Sequence, residues 1–75
     1  MEEFIKHFIN QLDEVPTIEV NGDTNFRNDL DGWDSLTALS VMAMVDDEYS
    51  VNITGVEMQN ANTIGDLFNI VSKKL

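Results

Sequence analysis

Two helix-start signatures lie close together near the C-terminus and limit the fold more than any other feature. Thr54 is followed three residues later by Glu57, and Thr63 is followed three residues later by Asp66. In such a pair the threonine hydroxyl accepts a backbone N–H of the first helical turn, and the carboxylate accepts the threonine's own N–H. Because the second signature follows the first so soon, the sequence predicts a short helix at roughly 54–60 and a longer one after it.

Apolar residues recur with helical spacing in three parts of the chain. In chain order, the three stripes contain Phe4, Ile5, Phe8, Ile9 and Leu12; Ala38, Val41, Met42, Val45 and Tyr49; and Ile64, Leu67, Phe68, Val71 and Leu75. The second stripe is expected to face the first helix. Pro16 is expected to end the first helix because proline disfavours helical angles at the residue before it. Lys73 and Lys74 suit the negative end of the last helix.

Residues 16–34 carry many turn-forming residues and only isolated apolar ones. The expected anchors of this segment are Ile18, Val20, Phe26 and Leu30. The stretch TIEV alternates like a strand but has no second strand to pair with, so we expect one long loop, a feature that is often functional. The sequence therefore predicts a small all-α four-helix bundle with three main helices, a short third helix and a long loop between helices 1 and 2. Residues 1–75 are expected to form a single domain.

Composition excludes several classes of function. Fourteen acidic residues against four basic ones give a net charge of −10, which repels nucleic acid and anionic membranes and favours basic protein surfaces. The absence of cysteine excludes disulfides and thiolate metal sites. No apolar stretch approaches the ~20 residues that span a bilayer, and the acidic N-terminus is unlike a signal peptide. A soluble, cytoplasmic monomer is expected.

The sequence GWDSL, residues 32–36, places a serine where the second helix is predicted to begin. Asp34 is positioned to be the N-cap of that helix, and Ser35 lies in its first turn. A hydroxyl there lies beside free backbone N–H groups and the positive end of the helix dipole, which favours an attached phosphate. The sole histidine, His7, lies in the first helix and is expected to be solvated, so no base for a self-activated nucleophile is evident. Ser35 is therefore interpreted as a residue that another enzyme modifies.

The outward face of the second helix is predicted to be a docking surface. Leu36, Ser40, Ala43 and Asp47 form one stripe, and Leu39 and Met44 flank it. Apolar residues on an exposed face are typical of interaction sites. Asp46, Asp47 and Glu48 lie in the last turn, where negative charge opposes the helix dipole. We interpret this combination as a surface for a basic partner, with Met44 out of phase with the core and available for contact.

These residues together resemble a known family. The stretch NFRNDLDGWDSLTALSVMAMVDDEYSVNI, residues 25–53, resembles the centre of an acyl carrier protein, with its D-S-L motif at the start of the second helix. The resemblance implies that Ser35 receives 4′-phosphopantetheine from coenzyme A through a phosphopantetheinyl transferase, with Asp34 and Leu36 as motif neighbours. It implies acyl groups held as thioesters on the arm, and basic acyl-loading and acyl-processing partner enzymes. The protein itself would be a carrier without catalytic activity. The resemblance implies that Asp46, Asp47 and Glu48 are acids of the recognition helix. Together with the outward face of the second helix and the neighbouring tryptophan, the expected docking residues are Trp33, Leu36, Leu39, Ser40, Met44, Asp46, Asp47 and Glu48.

Three departures from the common fatty-acid carriers point to a specialised member. The segment DGWDS is one residue longer than the usual spacing, and Thr37 and Ser40 stand where that family often has acids. Trp33 either packs over the loop or contacts the arm, the cargo or a partner. A fatty-acid, polyketide or secondary-metabolite pathway is expected, and a peptidyl or D-alanyl carrier is the alternative within the same bundle.

Two alternatives belong to other classes. RNDLDGWD superficially resembles an acidic calcium loop, but aligning Gly32 to the sixth position puts Arg27 at the first ligand position and Ala38 at the twelfth, where a glutamate is required. We therefore expect no metal site. An acidic inhibitor or nucleic-acid mimic is supported only by the net charge.

Overall fold

The computed structural model describes residues 1–12, 16–30 and 32–75 of the chain. Its helices are α1 (Glu2–Ile9), α2 (Ser35–Tyr49), α3 (Gly55–Asn60) and α4 (Ile64–Lys74). Within the described residues the only β-type pairing is an isolated bridge between Asn25 and Thr63. The predicted all-α architecture, with a short third helix and a long loop before α2, is confirmed. No helix in the described ranges has the length and apolar character needed to cross a membrane.

Both predicted capping boxes form. The Thr54 hydroxyl accepts the Glu57 N–H at 3.1 Å, and the Glu57 carboxylate accepts the Thr54 N–H at 3.0 Å. Thr63 and Asp66 exchange the equivalent bonds, both at 3.1 Å. Each box satisfies backbone donors that would otherwise lack partners at a helix N-terminus, which explains why α3 and α4 begin where the sequence predicts.

Helix α1 is shorter than its apolar stripe. The regular helix ends at Ile9, and N–H groups of Gln11 and Leu12 bond the carbonyls of Phe8 and Ile9 to form a further turn. The predicted role of Pro16 depends on residue 15, which lies outside the described residues. Phe4 and Phe8 are completely buried, so the core-facing side of this helix matches its sequence pattern.

Aromatic rings link α1 to the loop and to α4 at the centre of the core. The Phe4 ring lies 5.5 Å from that of Phe68 on α4, and the Phe8 ring lies 5.9 Å from that of Phe26 in the loop. Among the described residues, the buried hydrophobic core consists of Phe4, Phe8, Phe26, Leu30, Val41, Met44, Val45, Val51, Ile53, Met58, Ala61, Ile64, Leu67 and Val71.

Two residues that were expected to pack against the protein interior, Ile18 and Leu75, are exposed instead. Ile18 is 46% exposed, so it does not anchor the loop, whereas Phe26 and Leu30 do and Val20 is partly buried. Leu75 is 73% exposed because α4 ends at Lys74 and the last residue extends past the helices it was expected to pack against.

The long loop is attached to the N-terminus of α4. The Ile64 N–H donates to the Thr24 carbonyl at 3.1 Å, and the Gly65 N–H donates to the Gly22 carbonyl at 2.8 Å. A Cβ at position 65 would lie 2.9 Å from that Gly22 oxygen, so the approach requires glycine. Backbone donors that a helix leaves unpaired thus hold the loop that leads to α2.

Lys74 fixes the start of α3 from the end of α4. Its ammonium donates to the Asn52 carbonyl at 2.9 Å and to the Glu57 carboxylate at 2.8 Å. The pKa of Glu57 is lowered first by the bond from Lys74 and then by the Thr54 N–H. Lys74 therefore does more than complement its own helix dipole, because it ties α4 to α3.

Candidate functional site

Asp34 is the N-cap of α2, as predicted. Its backbone is extended (φ −145°, ψ −176°), and its Oδ1 accepts the Thr37 N–H at 2.8 Å and the Thr37 hydroxyl at 3.0 Å. The backbone bond, and secondly the hydroxyl bond, lower the pKa of Asp34 below its ordinary value. Since the carboxylate is stabilised in its ionised form, the cap that positions the next residue is maintained at neutral pH.

Ser35 is the first residue of α2, and its side chain is exposed to solvent. The histidine ring is far from it: His7 packs against Tyr49 at the opposite end of α2, with ring centroids 6.1 Å apart. The helix has 15 residues, and at 1.5 Å per residue this corresponds to about 20 Å along its axis. The structure therefore agrees that His7 is not the base for Ser35.

The buried face of α2 is rotated from the predicted one. Its buried residues are Thr37, Val41, Met44 and Val45. At 100° per residue the centre of this face lies roughly 70° from that of the predicted stripe. Met44 is only 5% exposed, so the prediction that it is available for partner contact is wrong. The reason is that α2 has apolar residues on most sides and a buried Thr37 whose hydroxyl is satisfied by Asp34, so periodicity alone did not define one face.

The rotation leaves Ala38 and Met42 at the edge of the buried face, where they border a cleft beside Ser35. The cleft has a volume of about 580 Å³, within the range of small-molecule sites. Its lining comes from the loop, α2 and α3: Arg27, Trp33, Asp34, Ser35, Ala38, Leu39, Met42, Gly55, Met58 and Gln59.

Trp33 lies between this cleft and the core. Its indole is parallel to the Phe8 ring within 1°, with centroids 5.8 Å apart, and lies 4.7 Å from the Phe26 ring at 53°. The side chain is half-buried. The two interpretations of Trp33 are therefore not exclusive, because it packs on loop and core aromatics and also lines the cleft next to Ser35.

Arg27 is a site residue that sequence reasoning did not identify. Its guanidinium donates to the carbonyls of Met58 and Ala61 and lies 3.5 Å from the Asn62 side-chain oxygen. The group also lies 4.9 Å from the Phe26 ring centroid. The available signal was that this is the only arginine in an acidic chain and directly follows a loop anchor.

Most of the predicted docking residues are exposed on α2. Leu36 is 72% and Leu39 59% exposed. Ser40, Asp46, Asp47 and Glu48 are exposed as well. An exposed apolar residue on α3, Val56, was missed by sequence reasoning. Apart from the buried Met44 and the half-buried Trp33, the predicted set therefore lies at the surface.

His7 is not the solvated side chain that was expected. It is half-buried, and its Nε2 lies 3.7 Å from carboxylate oxygens of Glu3 and Glu48. The pKa of the adjacent Tyr49 is raised, first by burial and then by these two acids. The acidic end of α2 thus contacts α1 through Glu48.

In the part of the chain that the structure describes, no group of three or more histidine, aspartate or glutamate side chains is arranged to hold a metal ion. Arg27, at the first position of the calcium-loop alignment, is bonded to backbone carbonyls near the end of α3.

Comparisons with known proteins agree with one another. The family described as "Phosphopantetheine attachment site" matches residues 3–71. An acyl carrier protein from Aster yellows witches'-broom phytoplasma is 32% identical over 71 residues, covering 95% of this chain and 92% of that protein. One from Beutenbergia cavernae is 31% identical over 68 residues, covering 91% and 82%. One from Acidothermus cellulolyticus is 29% identical over 68 residues, covering 91% and 80%.

Proposed function

Since this chain belongs to the acyl carrier protein family with a phosphopantetheine attachment site, we propose that Ser35 is the residue that carries the 4′-phosphopantetheine arm. The bound arm supplies a thiol that holds acyl groups as thioesters. The observation that carries the proposal is the exposed Ser35 hydroxyl at the first position of α2, beside a largely apolar cleft. The function is that of a carrier that presents acyl groups to partner enzymes.

The surroundings of Ser35 suit a phosphodiester. Helix α2 has no acidic residue in its first turn, and its N-terminus favours negative charge. The adjacent acid, Asp34, uses a carboxylate oxygen to accept two bonds from Thr37. Because His7 lies near the far end of α2, the base that removes the Ser35 proton would come from the modifying enzyme.

The exposed face of α2 supports docking of basic enzymes. We propose that Leu36 and Leu39 provide its apolar contacts and that Asp46, Asp47 and Glu48 provide its charge. A phosphopantetheinyl transferase and acyl-loading and acyl-processing enzymes are the expected partners. Charges of this kind mainly raise association rates and select partners of opposite sign.

A specialised fatty-acid, polyketide or secondary-metabolite pathway is the finer part of the proposal. It is supported by Trp33 in the cleft wall and by the exposed Ser40 on α2, at a position that is often acidic in the common fatty-acid carriers; Thr37 is buried and gives no such support. Aminoacyl loading by an adenylating enzyme would instead support a peptidyl or D-alanyl carrier. A cytoplasmic location, a monomeric state and a single domain over residues 1–75 stay predictions.

Incubation of the unmodified protein with coenzyme A, Mg²⁺ and a broad-specificity phosphopantetheinyl transferase tests the site. The expected result is an intact mass increased by one phosphopantetheine in the wild type and no increase in Ser35→Ala. Ser72→Ala is the matched control, since it removes an exposed hydroxyl on α4, outside the predicted docking residues, and should leave modification unchanged. An unmodified wild-type protein with several transferases would contradict the proposal.

A further inference from the structure

Helix α3 forms one wall of the Ser35 cleft but is too short to hold its own position. It has six residues, whereas isolated helices below about 12 residues are marginal in water. Its Gly55, Met58 and Gln59 line the cleft. The position of this wall therefore depends on contacts made by the rest of the protein.

The two ends of α3 are fixed in different ways. At the N-terminus, the Thr54–Glu57 capping box satisfies backbone donors, and Lys74 bonds Glu57 at 2.8 Å. At the C-terminus, backbone carbonyls need donors, and the Arg27 guanidinium donates to two of them, those of Met58 and Ala61. A cation at this end is also favoured by the helix dipole.

Arg27 itself is held by the core. It follows Phe26, which is completely buried, and its guanidinium lies 4.9 Å from that ring. Arg27 also lines the cleft beside Ser35. Arg27 thus contacts a buried core residue, donates hydrogen bonds at the C-terminal end of α3 and lines the cleft.

From these contacts, and resting on the proposed function, we propose that Arg27 is a positioning residue that holds α3 against the loop and keeps the Ser35 cleft formed for the enzyme that modifies Ser35. Arginine suits this role because its planar group can donate to two carbonyls at once, which a lysine ammonium does less well. Without the bonds, α3 would sample other positions, and the binding-competent fraction of the carrier would fall.

The test compares Arg27→Gln and Arg27→Lys with Lys6→Gln, which removes one positive charge from an exposed position on α1. Hydrogen exchange of the folded proteins should become faster in α3 of Arg27→Gln, while exchange in α1 and α4 stays at the wild-type rate. Steady-state kinetics of modification by the transferase should show KM raised roughly threefold to tenfold with kcat unchanged, because a uniform binding loss acts on KM. Arg27→Lys should restore part of both effects, and Lys6→Gln should show neither.

Unchanged α3 exchange and unchanged KM in folded Arg27→Gln would overturn the proposal. Equal acceleration of exchange in α1, α3 and α4 would also overturn it, since that pattern means general destabilisation. If Arg27→Gln does not fold, the same comparison is made with Arg27→Lys. The exchange measurement needs no modification of Ser35, so a failure of Ser35 to accept the arm would contradict the proposed function without obscuring the result for Arg27.

Discussion

Replacing Met44 with alanine tests the orientation of α2. Met44 is 5% exposed and belongs to the core cluster, so its side chain contributes to packing rather than to the surface. Truncating a buried methionine costs about 2–5 kcal/mol, and we expect about 2–4 kcal/mol here because neighbours relax partly around the cavity. A domain of 75 residues has a total stability of roughly 4–11 kcal/mol. The substitution should therefore remove a large share of it and lower Tm on the order of 10–25 °C.

Urea unfolding followed by circular dichroism measures this loss, and Leu39→Ala is the control on the same helix. Leu39 is 59% exposed, so its truncation should change stability by less than about 0.5 kcal/mol. Leu39→Ala should instead slow modification of Ser35, since Leu39 belongs to the proposed docking surface and lines the cleft. Wild-type stability in Met44→Ala, together with slower modification, would refute the rotated orientation and favour the stripe predicted from periodicity.

Two further predictions concern α4. Gly65→Ala should lower the free energy of unfolding by about 1 kcal/mol, measured by urea unfolding. The added Cβ would lie 2.9 Å from the Gly22 carbonyl oxygen, and such overpacking costs ~1–3 kcal/mol. This cost exceeds the ~1 kcal/mol that alanine gains over glycine in helix propensity. Gly55→Ala, where a Cβ meets no atom within 4 Å, should not be destabilising, and equal stability of both variants would contradict the packing argument. The pKa of Asp66 is lowered below its ordinary value of 3.8, first by the hydrogen bond from the Asn62 N–H. The ionised Asp66 carboxylate therefore stabilises the fold above pH 3.8, and this stabilisation is lost as the pH falls through the folded-state pKa. The stability difference between wild type and Asp66→Asn should therefore shrink below about pH 4, and a difference independent of pH would contradict this.

Local signals in the sequence were sufficient to predict where α2, α3 and α4 begin. Each start depends on one side chain that satisfies backbone donors a few residues away, as Asp34, Thr54 and Thr63 do. Such contacts are encoded within four residues, so tertiary structure is not needed to recognise them. For the same reason, the position of Ser35 at the start of a helix followed from the sequence.

Contacts between distant segments were not predictable in this way. The bonds from Arg27 to α3 span more than thirty residues, and no spacing rule indicates them. The burial of Met44 depends on which side of α2 meets the core, and the helix carries apolar residues on several sides. The partial burial of His7 depends on its packing against Tyr49 at the other end of α2. These features were missed because they depend on how the helices pack, while the sequence pattern describes each helix alone.

The location of the arm on the folded protein is the measurement that tests the central claim most directly. After enzymatic modification with coenzyme A, fragmentation mass spectrometry of the intact protein assigns the added group to one residue. The account predicts a single phosphopantetheine on Ser35, with Thr37 and Ser40 unmodified. A phosphopantetheine on any other residue, or none on Ser35 in folded protein, would contradict it.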